Sequence, residues 1–78
     1  MPWDESDGRL HREFLFGDFT EAFAFMTRVA FVAERLGHHP DWSNTYNRVV
    51  ISLTTHDDGN VVTENDRKFA AAVDELVD

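Results

Sequence analysis

The sequence predicts an α+β domain of two layers, in which a four-stranded antiparallel sheet carries two helices on one face. Three observations lead to this fold class. Two segments repeat apolar residues at three- and four-residue steps, and each follows a helix-capping pattern. Segments with apolar residues at alternating positions come in pairs before each helix, and polar turn residues separate them. The resulting order, β-β-α-β-β-α, is typical of a sheet with both helices packed on one face.

The first predicted element is a hairpin. The turn signal Ser6-Asp7-Gly8 separates a short strand, Trp3 to Glu5, from a second strand, Arg9–Phe16. Apolar and polar residues mostly alternate in the second strand, which favours a strand with one buried face. The even-numbered positions, which share one face of the strand, are Leu10, Arg12, Phe14 and Phe16.

Asp18 begins the first helix. It caps the first turn, Glu21 completes a capping-box pattern three residues later, and Gly37 suits the C-terminal cap. The predicted apolar stripe of this helix consists of Phe19, Phe23, Met26, Ala30 and Ala33, widened by Ala22, Val29 and Leu36.

Three further apolar residues of this helix, Phe25, Phe31 and Val32, lie beyond the predicted stripe, where a monomer would expose them. We therefore expect them to form a helix–helix contact between subunits.

The second hairpin follows the His-His-Pro corner. It consists of strands Trp42–Tyr46 and Arg48–His56, which are joined near Asn47. Alternation predicts that Val49, Ile51 and Leu53 face the helices and that Ser52, Thr54 and His56 face away.

The second helix begins after the loop DDGN, at Thr63, with Asp66 three residues later in a pattern like a capping box. Its predicted buried stripe consists of Phe69, Val73, Leu76 and Val77.

The three histidines of the segment GHHPDWSNTYNRVVISLTTHD are predicted to meet in space. In an antiparallel hairpin, the sequence numbers of any two opposed residues add up to the same sum. A tight turn centred on Asn47 makes this sum about ninety-four. His56 then lies across from His38 and beside His39, with opposed Cβ atoms ~4.5–5.5 Å apart. Pro40 forces His39 into an extended conformation and restricts where its ring points. The spacing therefore predicts one pocket that holds three imidazoles.

Three converging imidazoles indicate acid–base chemistry. Imidazole titrates near neutrality, so a neutral ring accepts a proton while a charged neighbour donates one. Two histidines on opposite sides of a flat substrate can therefore drive a dehydration. One of them protonates the departing hydroxyl, and the other removes a proton from an adjacent nitrogen or carbon.

Two other interpretations of the histidines stay open. A zinc site would add Asp41, Asp57 or Asp58 as ligands. Against it, adjacent His38 and His39 point in opposite directions on an extended chain. The histidines could also be polar residues at the rim of a hairpin, although the convergence of three argues against this.

Several neighbouring side chains carry two interpretations each. Trp42 and Tyr46 share the open face of the sheet in this register, where they lie against a planar substrate ring or cover a subunit interface. Asp66 caps the second helix, or, less simply, fixes the tautomer of a histidine. Glu34, one turn before the histidine pair, orients an imidazole or belongs to a solvated helix face, and spacing alone favours the solvated face. His11 is isolated on the second strand and receives no functional role.

Composition limits the class of protein. The 78 residues make a single domain, 1–78, without cysteine, so we expect self-association in place of disulfides or thiolate metal sites. The net charge of −8 disfavours direct nucleic-acid binding, and fits an ordinary acidic protein or adaptation to high salt. No apolar run reaches the length of a membrane span, and the first residues lack a signal-peptide pattern. We therefore expect a cytoplasmic protein with no membrane association.

In its motifs the chain resembles the pterin-4a-carbinolamine dehydratases. The resemblance runs through DFTEAFAFMTRVAFVAERLGHHPDWSNTYNRVVISLTTHD and, more weakly, through TENDRKFAAAVDELV. The arrangement E-x-x-x-HHP-x-W from Glu34 to Trp42, followed by Y-N-x-V and T-H-[DE], is highly specific in combination, although no single part of it is.

The resemblance implies the fold predicted above and assembly as homodimers or homotetramers. It implies dehydration of 4a-hydroxytetrahydropterin to the quinonoid dihydropterin, with no metal and no cofactor. In the implied division of roles, His38 and His56 exchange protons and His39 holds the pterin. The implied residues are catalytic His38, His39 and His56, pterin-binding Gly37, Thr54, Thr55 and Asp57 together with the histidines, and accessory Glu34, Pro40, Trp42 and Asp66.

The sequence departs from the family pattern in three places. The family's usual N-terminal helix is expected to be absent, because the sequence starts near the first strand. Gly37 replaces an acidic residue that some members carry, which loosens one expected pterin contact. The loop DDGNVV is one residue longer than the common form, which is expected to displace Asp66.

Some relatives of the family have another role. Mammalian members bridge the dimerisation helices of a transcription factor, and bacterial members with eroded active sites assist Rubisco assembly. The intact histidines here favour the enzyme over such a binding module, for which Phe25, Phe31 and Val32 would offer the partner surface. A metal-dependent hydrolase ranks third.

Overall fold

The structure is a computed structural model and describes residues 2–77. The predicted fold class is confirmed, and the element bounds differ from the predicted ones by one residue except at the end of the fourth strand. The elements are β1 (Asp4–Ser6), β2 (Arg9–Leu15), α1 (Phe19–Leu36), β3 (Asp41–Thr45), β4 (Arg48–Leu53), a 3₁₀ turn (His56–Asp58) and α2 (Glu64–Val77). No helix within this range is long and apolar enough to cross a bilayer.

The four strands form one antiparallel sheet in the order β1-β2-β4-β3. The two hairpins therefore meet through their second strands, and β2 and β4 lie at the centre of the sheet. Both helices cover the face that alternation predicted to be buried. The core consists of Trp3, Leu10, Phe14, Val49, Ile51 and Leu53 from the sheet side, and Ala22, Phe25, Val29, Val32, Ala33, Phe69, Ala70 and Val73 from the helices.

The caps of α1 have the predicted geometry. Asp18 has an extended backbone, and its Oδ1 accepts a hydrogen bond from the Glu21 amide at 2.8 Å. The Glu21 carboxylate in turn accepts one from the Gly17 amide at 3.2 Å. At the other end Gly37 takes a left-handed conformation, with φ +63°, and its amide donates to Ala33. These caps end α1 directly before the histidine pair.

The predicted buried face of α1 was partly right, because Ala22, Val29 and Ala33 are buried as predicted and Met26 is half-buried against the core. Phe25 and Val32 lie in the core, whereas Phe19 and Phe23 are exposed. Phe31 is exposed as predicted, with 72% of its surface accessible. Apolar residues occur around most of this helix, so their spacing fits more than one buried face. The positions of α2 and β4, against which α1 packs, select the face that contains Phe25 and Val32.

The predicted buried stripe of α2 was partly right. Phe69 and Val73 are fully buried, Leu76 is half-buried and Val77 is exposed near the end of the helix.

The predicted register of the second hairpin was wrong by one residue. Thr45 pairs with Arg48, so the turn consists of two residues, Tyr46 and Asn47, and Tyr46 adopts a φ of +50°. Trp42 therefore pairs with Ile51, and their side chains lie on the same, helix-bearing face of the sheet. The prediction that Trp42 and Tyr46 share the open face was wrong for this reason.

The fourth strand ends at Leu53, three residues before its predicted end. Thr54 is buried, and its hydroxyl donates to the carbonyl of Gly8 in the first hairpin turn at 2.8 Å. The chain then turns, so His56 begins a 3₁₀ turn instead of extending the strand. This turn and the end of α1 bring the two histidine-bearing segments together.

Candidate active site

A cleft of about 260 Å³ lies where the end of α1, the 3₁₀ turn and the start of α2 meet. Its lining includes all three histidines that the spacing predicted to converge. The lining residues are Gly37, His38, His39, Thr55, His56, Asp57 and Asn65.

A larger groove of about 560 Å³ lies elsewhere, along β2 and the ends of both helices. Phenylalanines, two arginines and two glutamates line it, and none of its lining residues is a histidine. Proton transfer near neutral pH is the chemistry of imidazole, so the smaller cleft is the candidate active site.

His38 is the most enclosed of the three histidines, with a side chain that is 15% exposed. Its Nε2 lies 2.5 Å from Oδ1 of Asp66, and its ring meets the Phe69 ring edge to face at 6.2 Å between centroids. A carboxylate accepts but does not donate, so Nε2 carries the proton of this hydrogen bond. The other ring nitrogen, Nδ1, is the one left for a substrate.

Asp66 is fully buried and holds three hydrogen bonds. Besides the His38 contact, its Oδ2 accepts from the Thr63 amide at 2.9 Å and from the Thr55 hydroxyl at 2.7 Å. Burial by itself raises the pKa of Asp66, but the bonds from Thr63, His38 and Thr55 and the charge of His38 outweigh it. The pKa of Asp66 therefore lies below its ordinary value of 3.8.

The two interpretations of Asp66 are thus both realised. Thr63 precedes α2, and the bond from its amide to Asp66 is the reciprocal half of a capping box. The same carboxylate contacts His38 through its other oxygen. The displacement of Asp66 that we expected from the loop DDGNVV does not occur, because Asp66 contacts His38.

His39 has a similar partner in a different environment. Its Nε2 lies 2.7 Å from Oε2 of Glu34, but the two side chains are 65% and 76% exposed. Water competes for such a contact, so it holds the ring less firmly than the buried carboxylate holds His38. The solvated helix face and the orienting role that the sequence allowed for Glu34 therefore coexist.

His56 differs from the other two histidines. Its Nδ1 lies 2.8 Å from the side-chain carbonyl oxygen of Asn60, a neutral amide. Its Nε2 lies 4.0 Å from the carboxylate of Asp41, which itself pairs with Arg9 at 2.7 Å. Each of the three imidazoles therefore has one ring nitrogen on an oxygen acceptor of its own chain.

The remaining predicted residues have different placements. Thr55 and Asp57 line the cleft, but Thr54, Pro40 and Trp42 do not. The Thr54 side chain supports the loop through Gly8 and does not reach the cleft. Among residues 2–77, no group of three or more histidines and acids is arranged to hold a metal ion.

Two residues beside the histidines were not recognised from the sequence, Asn60 and Asn65. Asn60 was seen only as part of the DDGN loop, and Asn65 only as part of α2. The loop composition signals a turn, but no local pattern shows that the Asn60 side chain returns to an imidazole four residues earlier.

Comparisons with known proteins agree on one family. The family model described as pterin 4 alpha carbinolamine dehydratase matches residues 1–76. A protein of Synechococcus sp. (strain WH7803) with the provisional name pterin-4-alpha-carbinolamine dehydratase is 55% identical over 95% of this chain and 78% of its own length. One of Rhizorhabdus wittichii with the same provisional name is 53% identical over 97% of this chain and 79% of its own length.

Two solved structures share the fold. One is a transcriptional coactivator/pterin dehydratase from Brucella melitensis, with a TM-score of 0.93, 43% identity, and coverage of 99% of this chain and 83% of that one. The other is a pterin dehydratase-like protein described as a RuBisCO assembly factor in the alpha-carboxysome. It has a TM-score of 0.76 and 31% identity, and the match covers 95% of this chain and 84% of that one.

Proposed function

The chain belongs to the pterin-4-alpha-carbinolamine dehydratase family, and on that premise we propose that it dehydrates 4a-hydroxytetrahydropterin to the quinonoid dihydropterin, which recycles the pterin cofactor. One observation carries the proposal. Three imidazoles line a single cleft, and each has one ring nitrogen on an oxygen acceptor, so its other nitrogen is free to face a substrate.

The reaction needs one proton donor and one proton acceptor. The donor protonates the departing hydroxyl so that the C–O bond breaks and water leaves. The acceptor takes the proton of the neighbouring ring nitrogen, whose electron pair then forms the new C=N bond. One proton is given and one is taken, so the reaction itself requires no metal, redox cofactor or net proton.

The partners of the histidines divide these roles. Asp66 holds Nε2 of His38 through a buried carboxylate, and we assign His38 as the acid. His56 on the other side of the cleft is the base, and His39, held by Glu34, positions the pterin. Gly37, Thr55, Asp57 and Asn65 complete the wall against which the pterin lies.

A kinetic experiment tests this function. The decay of enzymatically generated 4a-hydroxytetrahydropterin is followed with and without the protein, in the presence and absence of a chelator. Wild-type protein accelerates the decay equally in both. His56→Ala removes the base and should lose on the order of 10²-fold or more of the acceleration. His39→Ala should also lose most of it, because the pterin is no longer held in place.

The fourth histidine provides the matched control. His11 lies on β2 outside the cleft, where it pairs with Asp4 and Ser52, so His11→Ala should keep the full rate. A wild-type rate no faster than buffer would reject the proposed function.

The exposed side of α1 offers a surface for self-association. Phe19 and Phe23 stack at 5.8 Å between ring centroids while 47% and 57% exposed, and Phe31 continues the same side of the helix. We infer that a second copy of this chain covers this surface, giving a homodimer or homotetramer. Phe25 and Val32, which the sequence analysis assigned to it, are core residues instead.

The other partners follow from charge. A net charge of −8 repels phosphate backbones, so we propose that the protein does not bind nucleic acid directly. We further propose that it is cytoplasmic, binds a pterin and its own copies, and does not associate with membranes.

A further inference from the structure

The acceptor beside His56 is chemically unlike those beside the other two histidines. His38 and His39 each face a carboxylate, whereas His56 Nδ1 faces the amide carbonyl of Asn60 at 2.8 Å. A carboxylate favours the charged imidazolium because it brings an opposite charge. An amide carbonyl only accepts a hydrogen bond, so it selects a tautomer without favouring a charge.

The backbone around Asn60 places its side chain firmly. The amide of Asn60 donates to the Thr55 carbonyl at 3.1 Å, and the amide of Thr55 donates to the Val61 carbonyl at 3.0 Å. The loop that carries His56 is therefore closed at its base by two main-chain hydrogen bonds, and Gly59 donates back to His56 within it.

Asn60 meets two demands at one position. Its φ of +62° is a left-handed conformation, which glycine, asparagine and aspartate tolerate better than other residues do. A glycine would satisfy the backbone but could not reach the imidazole. Asparagine satisfies the backbone and also supplies the neutral acceptor for Nδ1.

The second nitrogen of His56 is the one left to react. Its Nε2 lies 4.0 Å from Asp41, beyond a hydrogen bond, and Arg9 offsets the charge of that carboxylate at 2.7 Å. With a proton on Nδ1, the neutral ring carries its lone pair at Nε2, and His56 lines the cleft together with His38.

We propose that Asn60 is a positioning residue that holds neutral His56 in the Nδ1–H tautomer and so makes Nε2 the atom that accepts the substrate proton. This inference rests on the proposed function for its kinetic part and deepens it, because it explains which histidine is the base. Of the two rings that exchange protons, the acid has a carboxylate as its acceptor and the base has an amide.

The tautomer is measured directly by long-range ¹H–¹⁵N correlation spectra of the imidazoles in the substrate-free protein, at a pH where His56 is neutral. The wild type should show a protonated Nδ1 and a bare Nε2 at His56. Asn60→Gly keeps the left-handed backbone but removes the acceptor, so the Nε2–H tautomer should appear. Asn60→Asp keeps the acceptor and should keep the Nδ1–H signature.

Kinetics provide the second readout. Asn60→Gly should lower kcat on the order of tenfold, the low end of the effect known for groups that orient metal-bound histidines, while KM stays nearly unchanged. The matched control is Asp58→Gly in the same loop. Within residues 2–77, the Asp58 side chain forms no hydrogen bond to another side chain. This variant should leave both the tautomer and kcat as in the wild type.

Two outcomes would overturn the inference: a wild-type His56 that is mainly protonated on Nε2, or an Asn60→Gly variant that keeps both the tautomer and kcat. The spectra need no substrate. An Nδ1–H signature in a protein without dehydratase activity would therefore reject the proposed function and leave the tautomer assignment standing.

Discussion

Asp66 and His38 share a hydrogen bond of 2.5 Å between Oδ1 and Nε2, and the carboxylate in that pair is completely buried. The other oxygen of Asp66 caps α2 through the Thr63 amide and accepts the Thr55 hydroxyl. One side chain therefore holds the start of a helix, a residue of the cleft and the enclosed imidazole in a fixed arrangement. Stability and chemistry are coupled at this residue.

We expect Asp66→Asn to impair both properties. The amide oxygen can still accept two of the hydrogen bonds, but it brings no charge to His38 and its NH₂ group needs a new acceptor. Unfolding in urea should show a loss of about 1–3 kcal/mol, the cost of an imperfectly satisfied buried polar group. The dehydration rate should fall as well, and a variant with wild-type stability and rate would contradict this view.

Glu34→Gln should have a smaller effect than Asp66→Asn, although the two acceptor distances are similar at 2.7 and 2.5 Å. The Glu34–His39 pair is exposed, so water replaces the lost contact and screens the lost charge. We expect unchanged stability and a modest rise in KM, because His39 positions the pterin. Steady-state kinetics and urea titrations of both variants side by side provide the comparison.

Acid should destabilise the wild type more than Asp66→Asn. The pKa of Asp66 is lower in the folded chain than its ordinary value of 3.8. Its contribution to stability is therefore complete above that value and is lost as the pH falls through the folded pKa. Urea unfolding between about pH 5 and pH 2 should show the difference between the two proteins shrinking. A difference that stays constant over this range would count against the assigned direction.

Gly8→Ala should disturb the active site from a distance. Gly8 has a φ of +75°, and a Cβ there would lie 2.3 Å from the backbone oxygen of Asn60. The hairpin turn and the histidine loop must move apart, so we expect a loss of stability of about 1–3 kcal/mol and a lower kcat. Gly59→Ala is the matched control, because its φ is +84° but a Cβ meets nothing within 4 Å. If both variants behave alike, backbone strain alone explains the loss and the contact with Asn60 is irrelevant.

Charge on the exposed side of α1 should weaken self-association. Phe23→Glu and Phe31→Glu place a carboxylate among side chains that we expect a second copy to cover. Sedimentation velocity should show a shift to smaller species without loss of helical content. Leu15→Glu, at a residue that is 67% exposed on β2, is the control and should leave the assembly unchanged. Dissociation by Leu15→Glu instead would move the interface to the sheet.

Local chemistry was enough to predict much of this protein. The capping residues Asp18 and Thr63, the glycine at position 37 and the turn residues determine where helices begin and end, because they act on backbone groups a few residues away. The spacing also predicted that the histidines share one cleft. The predicted pairing of His56 opposite His38 was wrong, however, because the pairing of β3 with β4 ends at Asp41 and Ser52 and His56 lies in the 3₁₀ turn. A register error of one residue left them in the same cleft.

Other features depended on contacts between distant segments. Which side of α1 is buried depends on where α2 and β4 lie, so Phe25 and Phe23 could not be told apart by periodicity. A shift of one residue in the hairpin moved Trp42 to the other face of the sheet, because side chains alternate along a strand.

The partners of the histidines were the least accessible to sequence reasoning. In the sequence, helix capping alone was enough to explain Asp66. Only the packing of α2 beside the end of α1 shows that its second oxygen contacts His38. Asn60 reaches His56 because main-chain hydrogen bonds close their loop. The residue types that can catalyse are visible along the chain, but the acceptors that assign each imidazole its proton are determined by three-dimensional packing.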